Sequence, residues 1–295
     1  MYYTKDTILY LNGKFIKAVD ATTDLYSQTL HYGYGAFEGI RSYKTSHGTK
    51  IFKAFEHYER LRHSCKSVNI PFDYDSEELT QITYTLLKKN NLSDAYIRPL
   101  VYCSPNMSLT TPNEVYLMIA AWQWGKYLGD NLLKLCISSY QRPNPNSLKV
   151  DAKVTGHYVN SILATSEAKV RGYDEALMLD MNGNVAEGPG ANFFLEKDGV
   201  LYTAPAGHIL PGITRQTVIG ICRELDIKVE EKFFKPEAIE GADSAFMCGT
   251  AAEVIGIESV DTKPFRKPWP ESLGAIIQEA YKSQVLEKSY SDVII

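Results

Sequence analysis

Residues 151–192 read DAKVTGHYVNSILATSEAKVRGYDEALMLDMNGNVAEGPGAN. Small residues surround Lys153, and between 157 and 171 apolar and small residues recur at intervals of three to five, which predicts a helix. Gly172 follows directly, and glycine is typical of the position after a helix. The stretch therefore predicts a lysine in a tight segment just before an α-helix.

The second half of this stretch predicts a hairpin that carries an acidic residue. Residues 175–179 are apolar enough for a buried strand, and Asn182-Gly183 is a strong signal for a tight turn. The returning strand, 185–187, ends in a glutamate, and Gly-Pro-Gly then breaks it. Glycines beside a carboxylate would let a flat ligand approach it closely.

Lys153 and Glu187 have the chemistry that an aldehyde cofactor with a pyridine ring requires. A lysine removed from water loses its proton more readily and becomes a nucleophile that forms Schiff bases. A carboxylate beside a pyridine nitrogen favours the protonated ring, which withdraws electrons. Taken singly, each residue is more typical of a solvent-exposed side chain, so the interpretation depends on the motifs around them.

The composition is that of an ordinary globular protein. The chain has 295 residues, of which 44% are hydrophobic and 22% charged. A net charge of −4, without a long basic run, argues against nucleic acid and anionic membrane as partners. No apolar run approaches the roughly 18 residues of a spanning helix, and the first residues lack a signal-peptide pattern. We therefore expect a cytoplasmic protein.

The cysteines predict reduced thiols. There are five, an odd number, and no C-x-x-C pair occurs, so neither a disulfide framework nor a zinc site is indicated. We predict no metal site.

The rest of the chain predicts a mixed α/β protein. Glycines 33, 35 and 39 do not have the spacing of a dinucleotide-binding loop, so that fold is rejected. Ser76 is the predicted cap of the second helix. The predicted elements of the first half are a hairpin at 8–15, strands at 40–43, 50–52, 95–103 and 115–121, and helices at 55–68 and 75–90.

Seven motifs resemble those of a known enzyme family. K-x-x-G-x-Y, E-G-x-G-x-N-x-F, L-P-G-I-T-R and G-T-A-A-E begin at positions 153, 187, 210 and 249, and together resemble the class IV (fold type IV) pyridoxal-phosphate enzymes. H-Y-G, F-E-G-I-R and Y-I-R-P, which begin at 31, 37 and 96, resemble the branched-chain amino acid aminotransferase subgroup in particular. The resemblance runs from about 12 to 260. Ala191 departs from it, because a glutamate often stands there.

The resemblance implies an α/β chain of the α+β type with the fold of these enzymes. A small N-terminal α/β domain would cover 1–121, an interdomain loop 122–131, and a larger C-terminal cofactor-binding domain 132–295. Pyridoxal 5'-phosphate would lie in the cleft between the domains.

The resemblance also implies residue roles. Lys153 would form the Schiff base with the cofactor and move a proton between the substrate Cα and the cofactor, while Glu187 would pair with the ring nitrogen and Tyr158 with the phenolic oxygen. In E-H-x-x-R-L the phosphate arginine is Arg60, not Arg62. The other phosphate-site residues implied are Ile213, Thr214, Gly249 and Thr250.

The implied reaction is transamination between branched-chain L-amino acids and 2-oxoglutarate, which gives L-glutamate. A branched aliphatic side chain needs a dry aromatic pocket, and Arg98 would bind the second carboxylate of 2-oxoglutarate. In the family, the loop at 104–113 reaches the neighbouring subunit, which implies at least a homodimer. The implied substrate-binding residues are Tyr32, Phe37, Tyr96, Arg98, Trp124, Tyr127, Thr250 and Ala251.

Two alternatives stay open at this point. Another class IV enzyme, such as a D-amino acid or (R)-amine transaminase or an aminodeoxychorismate lyase, would share Lys153 and Glu187 but differ in its N-terminal pocket. A binding module of the same fold without catalytic activity would be expected to have lost part of the lysine, glutamate and phosphate set, which is intact here.

Overall fold

The computed structural model describes residues 2–125, 128–129 and 131–288. Its contacts divide the chain into two compact units, Met1–Gly125 with Ala152–His157, and Lys126–Asp151 with Tyr158–Ile295. The predicted domain bounds, 1–121 and 132–295, stay predictions, and the contacts assign the segment that contains Lys153 to the first unit.

The segment Ala152–His157 joins the first unit through its backbone. Val154 forms an isolated antiparallel bridge with Ala36, and Gly156 N–H donates to the Gly33 carbonyl at 2.8 Å. Gly33 has a φ of +65°, and a Cβ there would lie 2.7 Å from Gly156 Cα. This close approach of two backbones requires glycine at both positions.

The first unit is a seven-stranded sheet with three α-helices. Its strand order is β2-β1-β7-β6-β4-β5, and β3 also pairs with β6. The strands are β1 (Ile8–Leu11), β2 (Lys14–Lys17), β3 (Gly35–Phe37), β4 (Ile40–Thr45), β5 (Gly48–Ile51), β6 (Ala95–Cys103) and β7 (Val115–Trp122), and the helices are α1 (Gln28–Tyr32), α2 (Ala54–Ser67) and α3 (Ser76–Lys89).

Local signals account for several of these elements. Asn12 and Gly13 have φ of 46° and 84°, as a two-residue hairpin requires, which confirms the predicted turn. The apolar faces of α2 and α3 are buried in one core with the central strands, for example through Leu61 and Leu79. The predicted cap Ser76 is wrong. Asp75 caps α3 by accepting from Glu77 and Glu78 N–H at 3.0 and 2.9 Å, because its backbone is still extended, whereas Ser76 is already the first helical residue and its hydroxyl donates to Glu59.

The second unit is a nine-stranded sheet in which six strands close into a ring. The order is β10-β9-β8-β15-β14-β11-β12-β13, and an additional pairing of β10 with β11 closes the ring. The strands are β8 (Leu133–Ile137), β9 (Glu175–Leu179), β10 (Val185–Glu187), β11 (Asn192–Lys197), β12 (Val200–Thr203), β13 (Val229–Glu231), β14 (Ser244–Gly249), β15 (Glu253–Val260) and β16 (Lys263–Pro264).

Three helices accompany this sheet, α4 (Tyr158–Val170), α5 (Ile213–Glu224) and α6 (Leu273–Leu286). The helix predicted at 157–171 is α4, and Gly172 follows it with a φ of +84°, as expected for a glycine after a helix. Within the described residues, no helix is both long and apolar enough to cross a membrane. All five cysteines are buried and unpaired, as predicted.

Candidate active site

Lys153 is held by its backbone in the first unit. Its N–H donates to Ser64 Oγ on α2 at 2.9 Å, and its carbonyl accepts from Phe37 N–H at 3.1 Å. The side-chain nitrogen lies 5.0 Å from the centre of the Phe37 ring. The amine of Lys153 therefore lies beside an aromatic face while the bonds to Ser64 and Phe37 fix its Cα.

Arg60 forms two hydrogen bonds with Glu38, a residue to which the sequence assigned no role. Nε donates to Oε1 at 2.7 Å and Nη2 to Oε2 at 2.8 Å. His57 Nδ1 lies 2.7 Å from Oε2, and Gly39 N–H donates to the same oxygen at 3.2 Å. Glu38 is completely buried, and every hydrogen bond of its carboxylate described here comes from the first unit.

The charge states of this group follow from its burial. Burial alone would raise the pKa of the Glu38 carboxyl, but Arg60 and His57 together hold that pKa well below its usual range. Burial lowers the pKa of His57 below its ordinary 6.5. At neutral pH, Glu38 and Arg60 are thus charged, while His57 is neutral and donates from Nδ1 to the carboxylate.

Four predicted substrate residues, Phe37, Tyr96, Arg98 and Trp124, lie together in the first unit. The guanidinium carbon of Arg98 lies 4.6 Å from the centre of the Phe37 ring, and Nη2 donates to the Tyr96 hydroxyl at 2.9 Å. Trp124 packs edge-on against Tyr96 with ring centres 4.6 Å apart. Arg98 Nε is buried and has no hydrogen-bond partner among the described residues. Aromatic faces and a buried donor suit an apolar ligand that also carries an anionic group.

Tyr32, a further predicted substrate residue, contacts a different part of the first unit. Tyr32 is 45% exposed, and its hydroxyl donates to the Met107 carbonyl in the loop at 104–113 at 3.1 Å. Tyr127 lies outside the described residues.

Glu187 is a buried carboxylate at the end of β10 in the second unit. Asn192 Nδ2 donates to its Oε2 at 3.0 Å, and Leu210 N–H donates to its Oε1 at 3.0 Å. Arg142 Nε lies 3.0 Å from Oε1, and this arginine is also buried. A buried carboxylate needs such partners to remain charged. The two hydrogen bonds orient Glu187, and Arg142, whose Nε makes no hydrogen bond among the described residues, supplies a positive charge beside it.

Tyr158 is the first residue of α4 and is partly buried. The next turn of α4 is attached to the turn after Glu187, because Ser161 Oγ donates to the Pro189 carbonyl at 2.8 Å. Asn160 Nδ2 donates to the Gln141 carbonyl at 3.0 Å, next to Arg142 in the chain. The beginning of α4 and the Glu187 turn are therefore one connected structure.

The N-terminus of α5 approaches the same turn. Gly212 is its N-cap and supplies no capping side chain, and Ile213 and Thr214 form its first turn. Asn192 Nδ2 also donates to the Leu210 carbonyl at 3.0 Å, and a Cβ on Gly212 would lie 2.0 Å from Asn192 Oδ1. A helix N-terminus capped by glycine presents backbone N–H groups and a positive dipole end to an anion.

The predicted residues Gly249, Thr250 and Ala251 lie where β14 turns into β15. Gly249 pairs with Glu253 across the turn, and a Cβ on Gly249 would lie 3.1 Å from the Gly190 carbonyl. The turn is thus next to the Gly-Pro-Gly segment that follows Glu187. A side chain at position 249 would separate the two.

The predicted site residues thus form two groups, one in each unit. The first unit brings together Lys153, Phe37, Arg98 and their neighbours, and Arg60 is held there by Glu38. In the second unit, the beginning of α4, the segment before α5 and the turn at 249–251 each approach the segment 187–192 that carries Glu187. The sequence analysis missed four residues that hold these groups. Glu38, His57 and Asn192 stand inside the quoted motifs, and that position is the signal that would have found them, whereas Arg142 stands in a turn-rich loop without such a signal.

Comparisons with known proteins agree with these motifs. Residues 35–260 match the family model described as Amino-transferase class IV. A branched-chain-amino-acid aminotransferase of Pseudomonas aeruginosa is 40% identical over 98% of this chain and 94% of its own length.

Solved structures agree with the fold. A branched-chain aminotransferase from the archaeon Thermoproteus uzoniensis, crystallised with norvaline, has a TM-score of 0.93 and 38% identity, covering 97% of this chain and 96% of that one. The branched-chain amino acid aminotransferase from Thermobaculum terrenum, in its PLP-bound holo form, has a TM-score of 0.89 and 32% identity, covering 97% and 96%. The predicted resemblance is confirmed, and this chain belongs to the class IV aminotransferases, within the branched-chain-amino-acid aminotransferase group.

Proposed function

We propose that this protein transfers an amino group between branched-chain L-amino acids and 2-oxoglutarate, with pyridoxal 5'-phosphate as cofactor. The observation that carries the proposal is the buried Glu187 carboxylate, held by Asn192, Leu210 N–H and Arg142 beside a helix N-terminus capped by glycine. Such a carboxylate suits a protonated pyridine nitrogen, and the helix N-terminus suits a phosphate. Class IV aminotransferases depend on this cofactor.

Each unit offers groups that suit a part of the cofactor. Lys153 would hold it covalently, Glu187 would accept the hydrogen bond of its ring nitrogen, and Tyr158 would donate to its phenolic oxygen. When bound, the cofactor supplies an electron sink for the charge left on the substrate Cα. The phosphate would be held by Arg60, by the Ile213 and Thr214 N–H groups, and by the Thr214 and Thr250 hydroxyls beside Gly249.

The chain's own groups perform the remaining steps. With the cofactor bound, the amine of Lys153 would take the proton from the substrate Cα as a general base and would later return it as a general acid. Asn192 and Leu210 N–H would keep Glu187 oriented, and Arg142 would favour its charged form, so that the carboxylate could hold a protonated ring nitrogen. The N–H groups of Thr250 and Ala251 would receive the substrate α-carboxylate.

Specificity would arise from the aromatic group of the first unit. Phe37, Tyr96 and Trp124 offer apolar faces to a branched side chain, with Tyr32 and Tyr127 as the further proposed pocket residues. The buried Nε–H of Arg98 would be a hydrogen-bond donor for the second carboxylate of 2-oxoglutarate. One pocket would thus accept an apolar side chain in one half-reaction and an anionic one in the other.

A substrate panel tests this proposal. The full-length protein, loaded with pyridoxal phosphate, is assayed with L-leucine, L-isoleucine and L-valine against 2-oxoglutarate, and with D-alanine and (R)-1-phenylethylamine in parallel. We expect glutamate formation from the three L-amino acids. Activity with D-alanine or the (R)-amine alone would identify another class IV transaminase, and a protein that develops no absorption of lysine-bound cofactor would be a binding module.

We also propose that the protein is cytoplasmic and forms a homodimer or a larger assembly of dimers. Exposed apolar side chains support self-association, since Leu109 in the loop at 104–113 is 86% exposed and Ile162 on α4 is 64% exposed. Sedimentation equilibrium of the wild type should give at least twice the chain mass. Leu109→Asp should weaken the assembly if the loop takes part in it, and a monomeric wild type would contradict the proposal.

A further inference from the structure

Arg60 has a proposed role at the phosphate, but its neighbours Glu38 and His57 have none, although the group of three lies beside Lys153. All three side chains belong to the first unit, and two of them, Glu38 and His57, are almost completely inaccessible to solvent. The charge of Lys153 contributes to the lowered pKa of His57, which places the lysine close to the group. Burying the Glu38 carboxylate costs desolvation energy, and its hydrogen-bond donors offset only part of that cost, so its position needs an explanation.

The hydrogen bonds of Glu38 define the orientation of Arg60. The carboxylate binds the Nε–Nη2 edge of the guanidinium with bonds of 2.7 and 2.8 Å, which is the bidentate geometry that fixes a planar fork. His57 Nδ1 and Gly39 N–H in turn hold the carboxylate from other directions. The guanidinium is planar, so fixing one edge also fixes the direction of Nη1 on the opposite side.

We infer that Glu38 is a positioning residue for the cofactor phosphate, and that it acts by presenting Arg60 in one orientation. This inference rests on the proposed function and on the assignment of Arg60 to the phosphate. His57, which is neutral, aligns the Glu38 carboxylate without adding a positive charge next to Lys153. A lysine at position 60 could not form these two parallel hydrogen bonds, which explains the need for arginine here.

The test separates positioning of the phosphate from general stability. The full-length protein is freed of cofactor and titrated with pyridoxal 5'-phosphate and with pyridoxal, and the absorption of lysine-bound cofactor is followed. The ratio of the two dissociation constants is the phosphate discrimination. We expect Glu38→Gln to reduce this ratio on the order of tenfold, a size typical of coupling within one ion-pair network, while the affinity for pyridoxal changes little.

Two comparisons make the test specific. In an Arg60→Gln background, Glu38→Gln should produce no further loss of phosphate discrimination, because its effect passes through that arginine. Glu196→Gln is the matched control, since Glu196 is equally buried and pairs with Lys267 at 2.6 Å in the second unit, away from the proposed site. The Glu196→Gln variant should lower the free energy of unfolding and leave the ratio of the two dissociation constants unchanged.

Three outcomes would overturn the inference. The first is that Glu38→Gln weakens the binding of pyridoxal and of pyridoxal phosphate equally. The second is that it leaves both affinities unchanged, and the third is that its effect on the ratio persists in the Arg60→Gln background. If Glu38→Gln does not fold, Glu38→Asp is measured instead, because it keeps the charge but is too short to reach both edge nitrogens. A wild type that forms no lysine-bound cofactor would refute the proposed function itself, which is a different result from an unchanged ratio.

Discussion

The ion pair between Arg142 and Glu187 leads to a quantitative prediction. Arg142→Met removes a positive charge beside the Glu187 carboxylate, and Glu187→Gln removes the negative charge beside the buried Arg142 guanidinium. At 3.0 Å and an effective dielectric constant of about 20, the Coulomb energy of the pair is about 5.5 kcal/mol. Desolvation of both groups offsets part of it, so each single variant should lose about 3–5 kcal/mol of folding free energy.

The double variant should lose less than the sum of the two single variants. We expect a coupling energy of about 2–3 kcal/mol, because removing both charges leaves neither one buried alone. The measurement is urea-induced unfolding of the cofactor-free protein, since a bound cofactor would add its own stabilisation. The exposed pair Glu279–Lys282, with its atoms 2.6 Å apart, is the control, and its coupling should stay below about 1 kcal/mol.

Additive losses in the Arg142–Glu187 cycle would refute this reasoning. They would mean that Glu187 is stabilised by its neutral donors and that Arg142 contributes nothing to its charge state. Equal coupling in the buried and exposed pairs would show that burial does not strengthen the interaction.

Three further predictions concern the first unit. Lys153→Ala should abolish the absorption of lysine-bound cofactor and lower kcat by at least about 10²–10⁴-fold, the usual contribution of an acid–base group, and steady-state turnover near the wild-type rate would contradict its role. Gly39→Ala should place a Cβ 2.1 Å from the Tyr96 hydroxyl and displace the phenol that Arg98 contacts. We expect the KM for 2-oxoglutarate to rise more over its wild-type value than the KM for leucine does, and equal changes in both KM values would exclude this cause. The pKa of His57 is lowered in the folded state, so as the pH decreases below 6.5 the unfolded chain binds a proton more readily than the folded protein, and the free energy of unfolding decreases. His57→Asn should remove this part of the pH dependence of the urea midpoint between pH 7 and pH 5, and an unchanged pH dependence would assign it to other groups.

Short-range patterns in the sequence determined much of the secondary structure. The hairpin at Asn12-Gly13 follows from two residues that accept a positive φ, and α2 and α4 follow from apolar residues that recur at helical intervals. The cap of α3 was misjudged by one residue, since Asp75 and Ser76 both have capping side chains and three-dimensional geometry decides between them. Motifs of three to eight residues were also enough to indicate the family.

Only the tertiary structure decided which residues act together. Glu38 meets Arg60, and Arg142 meets Glu187, across chain separations that no local periodicity encodes. The segment with Lys153 joins the first unit because Gly33 and Gly156 allow two backbones to touch, a contact that depends on the fold around them. Local conformation is set by the preferences of neighbouring residues, whereas buried charges find their partners only when distant strands and helices pack.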